Sequence, residues 1–191
     1  MNILIEELPD SVLVDGIAYA VNTDFRYSLR SILAFEDNDL TPYEKQIIML
    51  KNLYPVMPSN IEKAVEQGIK FLNGGRDFEE TDAERLYSFS KDANYIFAAF
   101  HQTHGIDLQV TEMHWWKFLA LFMDLGGETT WANIVGMRKR LNDGTATDEE
   151  KRMASELSEI LDLPKVDDRT LEEKEMEAEF FRLIGQAGHG D

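Results

Sequence analysis

The sequence predicts a mostly α-helical protein: a compact helical bundle with a small N-terminal β-hairpin and a charged C-terminal helix. Three observations carry this reading. The spacing Ser/Thr-x-x-Glu, in which a hydroxyl caps a helix and a glutamate reaches back to the cap amide, occurs at Thr41/Glu44, Ser59/Glu62, Thr81/Glu84, Thr147/Glu150 and Thr170/Glu173. Apolar residues then recur at the helical period and stop at Asn73-Gly74-Gly75, Gly105, Gly126-Gly127 and Asp143-Gly144. Ahead of all this, one Asp-Gly pair joins two short runs of β-branched and aromatic residues.

The elements follow in order. SVLVDGIAYAV predicts a hairpin over 11–21, because Asp15-Gly16 tolerates the positive φ angles of a two-residue turn. A lone hairpin is marginal in water, so it must pack on something helical. Helices are then expected at 24–36, 42–53 (with Pro42 in the first turn), 60–72, 82–103, 112–124, 131–141, 148–161 and 171–184. In the long fourth helix Leu86, Phe89, Ala93, Ile96, Phe97 and Phe100 form one stripe, as core packing requires. Residues 164–168 read as a linker, and GQAGHGD as a fraying end. Charge divides the chain: residues 142–191 hold 15 acidic and 6 basic side chains, so we expect a helical domain over 1–141 and an acidic helical extension over 142–191.

Composition removes several classes of function. With 36 acidic against 19 basic side chains, the net charge of -17 repels phosphate backbones, so nucleic acid is not an expected partner. The chain has no cysteine, hence no disulfide framework, thiol nucleophile or thiolate zinc site. MNILIEELPDSVLV lacks the basic start and apolar core of a secretion signal, and no later run has the roughly 20 apolar residues of a membrane helix. A soluble cytoplasmic protein without membrane association is expected.

Sites for chemistry are sparse. His101 and His104 sit three apart, with Asp107, Glu112 and His114 close in sequence, a set of nitrogens and oxygens that could hold a divalent metal. The competing reading is a polar helix end, where the two histidines meet exposed carbonyls before Gly105. HExxH, phosphate-loop, dinucleotide and nucleophile-elbow signatures are all missing. Glu172, Glu173, Glu175, Glu177 and Glu179 crowd one short helix and read as a solvated surface. No catalytic residue, cofactor or resident metal is assigned, and a non-enzymatic protein is expected.

The densest apolar stretch is 112–124. Trp115, Phe118, Leu119 and Phe122 fall on one side of that helix and Trp116, Ala120 and Met123 on another, so it is apolar nearly all round. Such a helix is either enclosed by its own domain or shared between its domain and a partner. Met113, Trp115, Trp116, Ala120 and Met123 are therefore the candidate partner-binding residues, with methionine supplying an adaptable surface.

Gly105-Ile106-Asp107-Leu108 followed by His114-Trp115-Trp116-Lys117-Phe118 resembles the signature of the tail-assembly chaperone family of tailed, siphovirus-type phages and prophages of Gram-positive bacteria. Asp92 to Phe100, Ile134 to Arg138 and the N-terminal LPDSVLVDGIAYAVNTDFR fit the same pattern. The resemblance implies a protein of the bacterial host cytoplasm, absent from the mature virion, that keeps the helical tape-measure protein soluble while the tail forms. It implies the tape-measure protein as partner, with the major tail protein or a second tail-assembly chaperone beside it, and is compatible with a homo-oligomer. Two alternatives stay open: a structural tail component retained in the virion, and a metal-dependent enzyme using His101, His104 and His114.

Overall fold

The computed structural model describes residues 2–77 and 84–164. Strands β1 (Ser11–Val14) and β2 (Ile17–Ala20) pair antiparallel, with Ser11 opposite Ala20 and Val14 opposite Ile17. Asp15 (φ 51°) and Gly16 (φ 77°) make the left-handed two-residue turn that the Asp-Gly pair predicts. The Asp15 carboxylate also accepts from Asn60 Nδ2 and pairs with Lys63, which holds its pKa below the ordinary aspartate value. The hairpin is thereby fastened to the start of the third helix, and Val14 and Val21 enter the core.

Eight helices follow among the described residues: α1 (Phe25–Glu36), α2 (Pro42–Leu53), α3 (Ile61–Leu72), α4 (Ala93–His104), α5 (Trp115–Met123), α6 (Thr130–Asn142), α7 (Asp148–Glu156) and α8 (Ser158–Leu161). The capping boxes at Thr41/Glu44 and Thr147/Glu150 are both formed, and each lowers the pKa of its glutamate through the bond from the threonine amide. At α3 the expected Ser59 is displaced by its neighbour: the Asn60 side chain accepts from the Lys63 amide. Asn and Asp rank at least level with Ser as caps, so adjacent candidates are decided by backbone entry angle. Thr81 of the Thr81/Glu84 pair, the Thr170/Glu173 pair and the helix expected over 171–184 lie outside the described residues.

The fourth helix is the main departure. Expected over 82–103, it begins at Ala93, and residues 84–92 instead form an irregular segment. Two carboxylates account for this. Glu36, the last residue of α1, accepts from Ser88 Oγ (2.6 Å) and from the amides of Phe89 (3.0 Å) and Ser90 (3.1 Å). Asp92 accepts from the Ser88 amide at 3.0 Å. A backbone offered these partners does not need the helical ladder, which is why Ser and Asp disfavour helix interiors.

The core is built around Phe118 of α5, fully buried and stacked on Phe25 of α1 (4.9 Å), Phe100 of α4 (4.9 Å) and Trp115 (5.4 Å). Around this column α1 packs on α2 and α5, α2 on α3, and α4 on α5 and α6. Contacts also cross the boundary expected after residue 141, because α8 packs on α6 and Leu161 is buried. Arg138 of α6 is the fastener. Its five N–H groups meet five acceptors: both oxygens of Asp92 (2.6 and 2.9 Å) and the carbonyls of Leu86 (3.1 Å), Ile160 (2.8 Å) and Leu161 (2.8 Å). A buried charge is tolerable only with such complete pairing.

Candidate functional site

Most residues of the predicted motif have a definite structural task. Gly105 ends α4 in the left-handed conformation (φ 67°), so glycine suits it. The following loop is gripped by Arg26, whose guanidinium donates to the carbonyls of Leu108 (2.7 Å) and Thr111 (3.0 Å) while paired with Asp24. Asp24 in turn caps α1 and accepts from the Met113 amide. Leu108 and Met113 are buried.

His114 caps α5. Its Nδ1 accepts from the Trp116 amide at 3.0 Å, so the ring proton sits on Nε2, 3.0 Å from the Pro9 carbonyl. His104 Nε2 lies 2.9 Å from the Leu121 carbonyl, while His101 is exposed in the last turn of α4. The Asp107 carboxylate accepts from the Gln109 amide. His104 and His114 are thus bonded to different parts of the backbone, and no three His, Asp or Glu side chains converge on a common point among the described residues.

The adjacent tryptophans answer a need of α3. A helix ends with carbonyls that have no partner of their own. Trp115 Nε1 donates to Leu72 O at 2.9 Å and Trp116 Nε1 to Phe71 O at 2.8 Å, so two neighbouring indoles cover two neighbouring carbonyls. The chain leaves α3 through Gly74 (φ 67°) and Gly75 (φ 82°), and Gly75 lies so close to the Trp116 ring that a Cβ there would meet Cη2 at 2.7 Å. Two aromatic donors and a close glycine together define this corner.

Beside it opens an apolar groove of about 640 Å³ between the end of α3, the outer side of α5 and the 84–92 segment. Trp116, Leu119, Ala120 and Met123 of α5 form one wall, with Tyr87 and Phe89 opposite. A second hollow of about 710 Å³ continues from it over α1 and α3, sharing Ile32, Leu72 and Asn73. Met123 is 75% exposed. Tyr87 has its pKa raised, first by burial and then by Glu36 nearby.

Of the five residues expected to meet a partner, three therefore lie on an accessible wall: Trp116, half-buried, and Ala120 and Met123, both exposed. Met113 and Trp115 are corrected to the core, at 6% and 0% exposure. The helix period placed Trp115 with Phe118 and Phe122, and that side faces inward. The groove's other wall was not foreseen, since Tyr87 and Phe89 were assigned to a helix. The Arg138 cluster was missed as well; its members are far apart in sequence, and only the unusual placement of a charge among apolar helix residues hints at it.

Among the described residues no helix is long and apolar enough to cross a membrane. A family model described as Bacteriophage Gp15 protein matches residues 4–163, which takes in every element from the hairpin to α8. Comparison with curated proteins and with solved structures gives no match.

Proposed function

The chain belongs to the Bacteriophage Gp15 protein family, and from that membership we propose that it is a tail-assembly chaperone, holding the tape-measure protein soluble in the host cytoplasm until the tail is built. The observation that carries the reading is the open apolar groove walled by Trp116, Leu119, Ala120 and Met123. An amphipathic helix laid in such a groove buries its apolar stripe and leaves its polar side in water. The net charge of -17 keeps many copies, loaded or empty, apart. No step of this work needs a nucleophile, a metal or a cofactor.

Co-expression with a tape-measure fragment tests it. The fragment becomes soluble and co-elutes with this chain, and Ala120→Arg or Met123→Asp abolishes the complex while leaving the fold intact, because both positions are exposed. Absence of a complex at low and moderate salt refutes the proposal. Mass spectrometry of purified particles adds an independent check: a chaperone is missing from them, whereas a structural tail component is retained.

A further inference from the structure

Between α1 and α4 lies a hollow of about 700 Å³ that reaches down to the stacked rings of Phe25 and Phe118. Leu29 and Leu33 of α1 and Ala93 and Phe97 of α4 line its sides. In a chain with 36 acidic and 19 basic side chains, no aspartate or glutamate lines this hollow and two arginines do. Arg26 is engaged by Asp24 and by the carbonyls of Leu108 and Thr111. Arg30, one turn further along α1, is exposed; its guanidinium stands 5.4 Å from the Tyr27 ring and has no carboxylate partner among the described residues. An apolar hollow with an unpaired guanidinium at its edge fits an apolar segment that carries a carboxylate.

The same molecule displays such a segment. No residue of α7 is buried. Met153 and, at the end of the helix, Leu157 lie one turn apart and are both exposed, and Glu149 and Glu156 share their side. Neither glutamate has a cationic partner among the described residues. A copy's own α7 does not fill its hollow, since no residue of α6, α7 or α8 lines it. The net charge of -17 repels copies that meet at random. Charges farther apart than about 8 Å are largely screened at physiological salt, so the local match of a glutamate with Arg30 governs this one contact.

We infer that α7 of one copy docks into the α1–α4 hollow of a second, with Met153 and Leu157 against Leu29, Leu33 and Phe97 and a flanking glutamate on Arg30. The two surfaces are different patches of one molecule, so the contact is head-to-tail. Each added copy leaves one α7 and one hollow open, and growth continues until a ring closes. The hollow shares only Phe89 with the groove proposed to take the tape-measure helix, so the association does not depend on the chaperone reading.

Analytical ultracentrifugation of the full chain tests this. Arg30→Glu sets a like charge against the glutamates of α7, and Met153→Lys sets one against Arg30; both positions are exposed, so circular dichroism should match the parent. The parent's weight-average mass should at least double between micromolar and sub-millimolar protein, while each variant alone stays monomeric. An equimolar mixture of the two should form a dimer and go no further, because the intact α7 of the Arg30→Glu copy enters the intact hollow of the Met153→Lys copy. Combining Arg30→Glu with Glu149→Arg and Glu156→Arg in one chain reverses both partners and should restore growth. A parent that stays monomeric, or a mixture that sediments as its separate parts, overturns the inference. Met123→Asp should associate like the parent; its failure to do so would place the contact in the Trp116 groove and likewise overturn the inference. Association without binding of a tape-measure fragment removes the chaperone reading alone, and fragment binding by a chain that stays monomeric at every concentration removes this inference alone.

Discussion

Arg138→Lys keeps the charge at the hub of α4, α6 and α8 and removes its geometry. The guanidinium serves five buried acceptors through five N–H groups, whereas an ammonium has three donors on a shorter reach. At least two acceptors lose their donor. A buried polar group left unpaired costs about 1–3 kcal/mol, so the substitution should destabilise by about 2–6 kcal/mol. With a urea dependence of about 2 kcal/mol per molar, the unfolding midpoint falls by about 1–3 M. Asp92→Asn, which leaves the buried guanidinium facing an amide, should lose about 3–5 kcal/mol. Amide hydrogen exchange adds a spatial readout: in Arg138→Lys, α8 loses protection first, since its final carbonyls are the ones released. A midpoint shift under about 0.5 M, or uniform loss of protection across the chain, would refute the argument that Arg138 works through its fork of donors and not merely its charge.

Other expectations are independent of that cluster. Gly75→Ala places a side chain at φ 82° and against the Trp116 ring, and the left-handed conformation alone costs about 1–2 kcal/mol; a melting temperature equal to the parent's would show that the corner yields freely. The Tyr54 hydroxyl is buried, donates to the Ala64 carbonyl, and has its pKa pushed from 10.0 up to about 12 by burial. A raised folded pKa means stability fully present below pH 10 and lost as pH climbs to 12, about 3 kcal/mol in all. Tyr54→Phe should therefore be about 1 kcal/mol less stable than the parent at pH 8 and should gain on it above pH 10, whereas parallel urea midpoints from pH 8 to 11.5 contradict this. His114→Ala removes both a helix cap and the tie to Pro9, and His114→Ser restores the cap alone, so serine should recover about 1 kcal/mol of the loss. Equal stability of the two variants would show that the ring acts only through Pro9.

Local chemistry was legible wherever a few neighbouring residues decide the outcome. Asp15-Gly16 turned as expected, and Thr41 and Thr147 capped their helices with the predicted glutamates. What escaped depends on partners distant in sequence. Ser88 to Asp92 has a passable helical pattern, and Glu36, more than fifty residues earlier, joins Asp92 in drawing it into a loop. His114 stands out in the sequence only as a member of a possible ligand set with His101 and His104, and its bonds to the Pro9 carbonyl and the Trp116 amide depend on the fold. For the candidate site, periodicity separated Trp115 from Trp116 correctly but did not say which side faced inward. That depended on α3 presenting the carbonyls of Phe71 and Leu72 to the pair.

The corner where α3 ends gives the protein a built-in optical gauge. Of its three indoles, those of Trp115 and Trp131 are sunk in the interior, and only Trp116 stands half in the open at the mouth of the groove. Its emission is thus the one that responds when something slides into place there, without any dye being attached. Because the same ring holds a carbonyl of α3, a guest that tilts it also loosens the last turn of that helix, and light and backbone report one event.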